Sequence, residues 1–329
     1  MVPKVEIHVH LEGAIPLEAL HELVQKYGGD PAAPDIEALR HVFEYRDFKH
    51  FIEVWDWKNG YLREYEDFAF AAEAVARDWA RQNLRYVEAF FSPPDFARHG
   101  LKTQRIAEAV RAGCERVPEI EVALVADLVR DSGPVKAGRT LSEIVEVQSL
   151  GVIGVGIGGS EREFPPELFT DVFERARRLG FRTSAHAGEA AGALSIWGAL
   201  RCLGVDRIGH GTRAREDPAL LDFLAERRIP LEMCPISNLR TGVVSAFADH
   251  PIRSYINRGL VVTVNSDDPS MFGNSLAQEY RSLEAELRFS RDEIRELILQ
   301  GISSSWLPDA RKGPMIESFR QDRHWNTRQ

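Results

Sequence analysis

The chain has 329 residues, a hydrophobic content of 44% and a formal net charge of -9. These values provide enough apolar material for one large α/β barrel or two smaller domains, and they exclude an intrinsically disordered chain. The acidic balance also excludes a general attraction to nucleic acids or to anionic membranes, so we expect neither as a partner.

Cysteine usage and the amino-terminal segment bear on the cellular compartment. Cys114, Cys202 and Cys234 are too few and too widely spaced for a disulfide framework, which fits a reducing compartment. The first residues, Met1–Glu6, contain no apolar signal core, and no apolar run approaches the length of a membrane span. We therefore expect a soluble, cytoplasmic protein.

Short apolar, β-branched segments alternate with amphipathic segments along the chain. The predicted strands are Val5–His10, Arg85–Phe91, Val122–Val129, Ile153–Gly159, Arg182–Gly188, Arg207–Gly211, Pro230–Pro235 and Val261–Asp268. The predicted helices include Tyr65–Asn83, Thr103–Val117, Pro166–Leu179, Ala193–Leu203 and Pro218–Arg227. Alternation of this kind indicates βα units and a parallel sheet, so eight units predict one (β/α)8 TIM barrel domain over residues 1–329.

The connection between the first two predicted strands, residues 11–84, is far longer than one crossover helix requires. It contains an aromatic-rich stretch at residues 48–57, FKHFIEVWDW. Because loops that follow the strands of a barrel build the mouth of its active site, one interpretation is a helical insertion that walls or covers the pocket. The alternative is that the insertion packs against the side of the barrel.

Metal-binding side chains stand at the carboxyl ends of three predicted strands. His8 and His10 end the first strand, and both can reach one ion because residues two apart in a strand point to the same face. His186 ends the fifth strand and Asp267 the eighth, at the barrel end where active sites lie. Histidine and carboxylate ligands without thiolate suit zinc, although ligand type alone leaves iron and cobalt open.

The predicted site favours a single metal ion and a hydrolytic chemistry. The fourth strand ends in Gly158 and Gly159, and residues 151–164 contain no lysine that could bridge a second ion. Bound zinc lowers the pKa of water to about 7, so that hydroxide exists at neutral pH. Hydroxide then needs an electrophile and a proton source.

Three further polar residues are candidates for that chemistry. Glu189 follows the fifth strand and can donate a proton to a ring nitrogen, although it could instead be a helix-starting carboxylate. His210 lies between two glycines and can accept a proton from the water or stabilise the hydroxide; a structural role is the alternative. Asp268 can bond the substrate while its neighbour binds the metal, or it can be a solvated acidic turn.

The segment Gly154–Gly159 satisfies the GxGxxG pattern of dinucleotide-binding sites. That pattern should open the first βα unit and run directly into a helix. Here it lies in mid-chain, and two prolines at 165 and 166 delay the next helix. We therefore favour a different role over dinucleotide binding: the glycines let a ligand approach the backbone closely.

These segments together closely resemble the adenosine deaminase family of the amidohydrolase superfamily. The matching segments occur in the family's order and are residues 3–14 (PKVEIHVHLEGA), 184–189 (SAHAGE), 207–211 (RIGHG), 232–238 (EMCPISN) and 265–269 (NSDDP). The resemblance extends from about Pro3 to Trp306.

The resemblance implies a role for each candidate residue. One zinc ion per chain would be held by His8, His10, His186 and Asp267. Glu189 would protonate purine N1, His210 would orient and activate the water, and Asp268 would hydrogen-bond N7. The substrate-binding residues would be His10, Glu12, Gly159 through its backbone amide to N3, and Asp268.

The implied reaction is zinc-dependent deamination of a 6-aminopurine nucleoside, in which adenosine and water give inosine and ammonia. The chain departs from the family at the sugar end of the site. Glu12 replaces a frequent aspartate that meets the ribose 5′-hydroxyl, and GIGGSE at residues 156–161 replaces the pattern DLAGDE. We therefore rank adenosine first as substrate, aminodeoxyfutalosine second and adenine third.

Two other functions are less favoured by the sequence. A nucleotide substrate needs cations that match a phosphate, and the predicted rim segments contain no arginine or lysine cluster. A catalytically silent barrel that binds zinc and purine is the non-enzyme hypothesis. Glu189 and His210 argue against it, because a binding protein needs neither proton carrier.

Overall fold

A computed structural model describes residues 1–325, with Phe48 described by its backbone only, and it contains eight parallel strands arranged in chain order. The strands are β1 (Lys4–His10), β2 (Leu84–Phe91), β3 (Glu121–Asp127), β4 (Val152–Gly156), β5 (Arg182–Ala187), β6 (Arg207–His210), β7 (Leu231–Met233) and β8 (Val262–Val264). The last strand meets the first through a bridge between Val9 and Asp267. The predicted (β/α)8 TIM barrel is confirmed.

Helices surround this nearly closed barrel. Within the described residues they are α1 (Leu17–Lys26), α2 (Ile36–Val42), α3 (Phe48–Asn59), α4 (Tyr65–Arg81), α5 (Thr103–Cys114), α6 (Gly133–Val145), α7 (Thr170–Arg178), α8 (Ala193–Gly198), α9 (Pro218–Arg227), α10 (Pro235–Arg240), α11 (Ile252–Asn257), α12 (Pro269–Phe272), α13 (Leu276–Leu287), α14 (Arg291–Ser304) and α15 (Asp309–Gln321). Over residues 1–325, none of the helices is both long and apolar enough to traverse a bilayer.

The two last strands are shorter than their sequence patterns predict. After Met233 the chain turns into α10, because Pro235 starts that helix at a position where proline is well tolerated. After β8 the chain bends, and Asp267 adopts a left-handed backbone with φ 65°. The His10 N–H donates to the Asp267 carbonyl at 2.9 Å, so this bend completes the ring of strands.

Local sequence accounts for most of the helices. In α4 the residues Phe68, Ala72, Val75 and Trp79 recur three or four positions apart and are buried on one face. A capping box at Glu64 begins the same helix. The predicted helix Ala193–Leu203 differs from its pattern, because α8 ends at Gly198 and a π-helical turn continues to Leu203.

The long connection between β1 and β2 forms α1 to α4, and its helices do two different things. On α3, the side chains of Phe51, Ile52, Trp55 and Asp56 line the cavity at the barrel mouth. By contrast, α4 packs against α5 on the side of the barrel. The interpretation as a wall of the pocket therefore applies to α3, and the interpretation as packing against the barrel side applies to α4. Both helices share one hydrophobic core with the barrel.

A buried ion network ties three strands together inside the barrel. The Arg207 guanidinium contacts Glu88 at 2.7 Å and also contacts Glu232, and the side chains of all three are at most 1% exposed. The indole of Trp306 stacks on the guanidinium at 3.6 Å. Because an unpaired buried charge is strongly destabilising, this network holds Glu232 in a defined position.

Candidate active site

Four side chains that the sequence marks as metal ligands converge at the carboxyl ends of the strands. They are His8, His10, His186 and Asp267, and one potential ligand atom of each lies within 4.8 Å of the others. The Nε2 atoms of His8 and His10 each lie 3.4 Å from Asp267 Oδ1. His10 Nε2 also lies 3.2 Å from His186 Nε2.

The donor set of this cluster fits a single divalent metal ion. Three imidazoles and one carboxylate leave a position for water, as catalytic zinc sites do. His8 Nε2 is buried and has no hydrogen-bond partner among residues 1–325, which is costly unless a cation meets it. Burial lowers the pKa of His10 to about 4 and that of His186 well below its ordinary value, so both imidazoles are neutral, as metal ligands must be.

Asp267 supplies the negative charge of the cluster. Burial raises the pKa of this carboxyl group, but the close contact with His8 and the attraction of His210 and His10 outweigh burial. The resulting pKa lies far below the ordinary aspartate value, so the group is ionised. An ionised carboxylate among imidazole nitrogens attracts a cation to this point.

The segment 232–238, which begins in β7, positions two of these ligands. Glu232 Oε2 lies 2.8 Å from His8 Nδ1, which leaves His8 Nε2 directed at the cluster. The Ser237 hydroxyl donates to Asp267 Oδ2 at 2.6 Å. Sequence analysis recognised this segment only as part of a family resemblance, and the roles of its side chains depend on contacts between distant strands.

We expect Glu232→Gln to lower metal affinity by roughly 10- to 100-fold, the usual cost of removing a second-layer partner of a metal-binding histidine. The amide can present an N–H where the carboxylate accepted one, so His8 loses its fixed orientation. Competition with a chelator measures the affinity, and thermal unfolding reports any loss of the bond to Arg207. Glu119→Gln, at an exposed position, is the matched control. Unchanged metal affinity would contradict the role of Glu232.

Glu189 and His210 face each other beside the metal cluster. His210 Nε2 lies 3.5 Å from Glu189 Oε2 and 4.0 Å from Asp267 Oδ2. Burial, together with repulsion from Asp267 and Glu161, raises the pKa of Glu189 well above its ordinary value. A carboxyl group whose pKa is raised keeps its proton more readily and is suited to donate it.

Glu161 shapes the loop that carries Glu189, and sequence analysis did not identify it. Its carboxylate accepts backbone N–H groups from Gly188 at 2.6 Å, Glu189 at 3.2 Å and Ala191 at 2.8 Å. The side chain is 3% exposed. Its signal in the sequence is weak, since it lies in the irregular segment between β4 and α7.

Three of the six non-glycine residues with positive φ in the described part of the chain lie at this site. His210 and Asp267 have left-handed backbones with φ values of 60° and 65°. Val129, a β-branched residue that lines the cavity, has φ 48°. Such conformations cost free energy and persist where the surrounding structure holds them, which is typical of functional sites.

A cavity of about 210 Å³ opens beside the metal cluster. Its walls include the side chains that α3 contributes and the loop after β4. Opposite these, its lining contains four polar residues that sequence analysis did not single out: Ser92, Asp95, Asp127 and Asp131. The sequence could have indicated two of them, because Ser92 directly follows β2 and Asp127 ends β3, at the rim where active sites lie.

Asp268 and Gly159 both line this cavity. Asp268 Oδ1 is buried and has no hydrogen-bond partner among the described residues, so it is available to a ligand. A Cβ atom at Gly13 would lie 1.7 Å from that oxygen, so only glycine allows the carboxylate this position. Gly159 has φ 102°, and a Cβ there would lie 2.1 Å from Asp131 Oδ2.

Glu12 does not line the cavity. Its carboxylate is buried and accepts the backbone N–H of Ser92 at 2.8 Å, so it lies behind a residue that does line the cavity. The Lys58 ammonium donates to the Glu12 carbonyl at 2.9 Å and stacks 4.0 Å over Trp55. Glu12 thus connects β1 to α3 at this edge of the site.

A larger outer cavity of about 870 Å³ adjoins the first, and Ile52, Asp56, Glu189 and Thr241 line both. Sequence analysis found no cluster of cations in the rim segments. The fold nevertheless brings four together around this cavity, from separate segments of the chain: Lys49, Arg162, Arg213 and Arg215.

The amino-acid sequence matches the family model described as Adenosine deaminase over residues 3–321. The chain belongs to the adenosine deaminase family. The family relationship and the buried cluster together identify a metal-dependent hydrolase that deaminates adenine-like substrates. The resemblance stated from the sequence motifs is confirmed.

Relatives of this adenosine deaminase family member are named after three different substrates. An adenine deaminase of Bordetella avium is 36% identical over 306 residues, covering 92% of this chain and 96% of its own. An aminodeoxyfutalosine deaminase of Streptomyces avermitilis is 35% identical and covers 94% and 88%. An adenosine deaminase of Klebsiella pneumoniae is 34% identical and covers 96% and 97%.

Solved structures agree with the family assignment. An adenine deaminase from Arthrobacter aurescens superposes with a TM-score of 0.91 and is 31% identical, covering 98% of this chain and 99% of its own. An amidohydrolase from Burkholderia ambifaria, solved with bound zinc, has a TM-score of 0.88 and is 28% identical, covering 97% and 89%.

Proposed function

We propose that the enzyme binds one zinc ion and hydrolytically deaminates a 6-aminopurine nucleoside, converting adenosine to inosine and ammonia. The observation that supports this most is the convergence of the metal cluster, Glu189 and His210 on one cavity. When bound, zinc supplies a water molecule whose pKa is lowered to about 7. A neighbouring structure with bound zinc supports the choice of metal.

All but one of the proposed substrate contacts use a residue that lines the cavity, and Glu12 acts from behind it. Glu189 donates a proton to N1, which its raised pKa supports, and His210 holds the attacking water. Asp268 bonds the purine at N7 through its unpartnered oxygen. Gly159 donates its backbone amide to N3. His10 contacts the substrate from the metal side, and Glu12 acts at the sugar end through Ser92.

A nucleoside is favoured over free adenine by the polar wall of the cavity. Asp95, Asp127 and Asp131 carry carboxylate oxygens, which accept hydrogen bonds from hydroxyl groups. Ribose presents such hydroxyls, and a free base has none. The adjoining outer cavity also leaves room beyond the base for a sugar.

A second candidate substrate is aminodeoxyfutalosine, the name carried by the Streptomyces relative. The observation in its favour is the outer cavity, whose volume of about 870 Å³ exceeds what ribose needs and whose rim carries four cations as well as six carboxylates. A nucleoside with a long 5′ substituent could extend into this space.

A substrate panel tests the proposal. We expect adenosine to exceed adenine in kcat/KM by at least roughly 10-fold, because adenine leaves the carboxylate wall without hydrogen-bond donors. The panel includes deoxyadenosine, methylthioadenosine and aminodeoxyfutalosine, and ultraviolet absorbance follows the reaction. Highest activity with adenine would contradict a nucleoside substrate, and highest activity with aminodeoxyfutalosine would select the second candidate.

A further inference from the structure

We propose that Asn238 is a positioning residue that places the imidazole proton of His210 on Nε2. His210 then offers an N–H group, rather than a lone pair, to the oxygen atom that attacks the purine. This inference rests on the proposed function for the identity of the attacking atom. The protonation pattern itself follows from hydrogen bonds away from the cavity.

The chain of hydrogen bonds begins at a backbone N–H group, which can only donate. The N–H of Ile252 points to His250 Nδ1 at 3.3 Å, so that nitrogen is an acceptor. His250 is 5% exposed, and burial lowers its pKa to about 3, so the ring is neutral. A neutral imidazole accepts at one nitrogen and donates at the other. His250 Nε2 therefore carries the proton.

The next contact fixes the orientation of the Asn238 amide. His250 Nε2 donates to Asn238 Oδ1 at 3.2 Å, and the Thr212 hydroxyl donates to the same oxygen at 3.0 Å. A flipped amide would set its NH2 group against the N–H of His250. Asn238 is fully buried, so water does not relieve that repulsion.

The amide orientation then decides which ring nitrogen of His210 carries the proton. With its oxygen facing Thr212 and His250, Asn238 presents Nδ2 to His210 Nδ1 at 3.2 Å. His210 Nδ1 is therefore an acceptor, and the neutral ring carries its proton on Nε2. That nitrogen is the one that faces Glu189 across the cavity at 3.5 Å.

This arrangement selects one of the two roles that the sequence leaves open for His210. An N–H group on Nε2 stabilises and orients an electron-rich oxygen by donating a hydrogen bond. It cannot, in the same state, accept the proton of that oxygen.

Nitrogen NMR of histidine side chains tests the inference directly. In zinc-loaded wild-type protein labelled with ¹⁵N-histidine, we expect His210 to show a protonated Nε2 and an unprotonated Nδ1. Its signals are identified by their loss in His210→Gln. The opposite pattern would overturn the inference, and this result does not depend on whether any purine is turned over.

Asn238→Asp provides a second test. A carboxylate accepts where the amide donated, so we expect the proton of His210 to move to Nδ1. We expect kcat to fall roughly 10²- to 10⁴-fold, as for other wrong-tautomer substitutions. KM should stay within about twofold, because Asn238 does not line the cavity.

Asn257→Asp is the matched control, since it introduces the same charge at an exposed position at the end of α11. It should keep the wild-type kcat and the wild-type ring signals. Wild-type kcat in Asn238→Asp together with a reversed proton position would show that the proton position is not used in catalysis. That outcome would overturn the functional part of the inference.

Discussion

Glu189→Gln should lower kcat by at least roughly 100-fold while zinc stays bound, since this is the scale of general acid catalysis. Glutamine keeps the size of the side chain and its contact with His210, but it has no acidic proton. The wild-type carboxyl group is buried and has a raised pKa, so it can hold the proton that N1 needs. Metal binding should persist, because Glu189 is outside the four-residue cluster.

Steady-state kinetics with the best nucleoside of the panel measures kcat. Metal analysis of the same protein measures its zinc content. Glu226→Gln is a matched control, because it makes the same chemical change at an exposed position on α9. Near-wild-type turnover in Glu189→Gln would remove this residue as the acid. Loss of zinc in that variant would show that it supports the metal instead.

Asp267→Ala should abolish metal retention and turnover together. Asp267 is the one carboxylate of the metal cluster, and its Oδ1 faces both His8 and His10 at 3.4 Å. Alanine removes the negative charge that offsets the cation and leaves the three imidazoles as the remaining candidate ligands. It also leaves the Ser237 hydroxyl without its acceptor.

Elemental analysis after dialysis gives the zinc content of this variant, and ultraviolet assays give its activity. Circular dichroism shows whether the barrel still folds, which is expected because the bridge at Asp267 uses backbone groups. Asp222→Ala, whose side chain is 72% exposed, is the control for the substitution. A folded Asp267→Ala protein with full zinc content and activity would exclude Asp267 from the site.

Much of the fold follows from the order of residues along the chain. The alternation of apolar strands and amphipathic helices predicts eight βα units, and each predicted strand has a counterpart in the barrel. These periodicities depend on neighbours within a few residues, so they can be read locally. The boundaries of β7 and β8 differ because a proline and a left-handed residue end those strands early.

The metal cluster could also be predicted, for a related reason. The three histidines lie in the carboxyl-terminal parts of β1 and β5, and Asp267 follows β8. A parallel barrel collects all carboxyl strand ends at one rim. Once the barrel is predicted, the position of a residue at the end of its strand places it on that rim. No knowledge of side-chain packing is required for this step.

Other parts of the site could not be predicted in this way. Sequence analysis placed Glu12 at the substrate, whereas the carboxylate lies behind Ser92, which is 80 residues further along the chain. It found no cluster of cations, yet Lys49 and Arg213 border the same outer cavity. Such contacts depend on how loops from different βα units approach one another, which no local pattern encodes.

The sequence alone therefore predicted the barrel, the four candidate metal ligands and the family. Only the tertiary structure decided which groups contact these ligands and the neighbouring His210. Glu232 contacts His8, Ser237 contacts Asp267 and Asn238 contacts His210. The physical reason is the range of the interactions. Strand and helix patterns arise between residues close in the chain, whereas the bond between His8 and Glu232 joins residues 224 positions apart and forms only when the barrel closes.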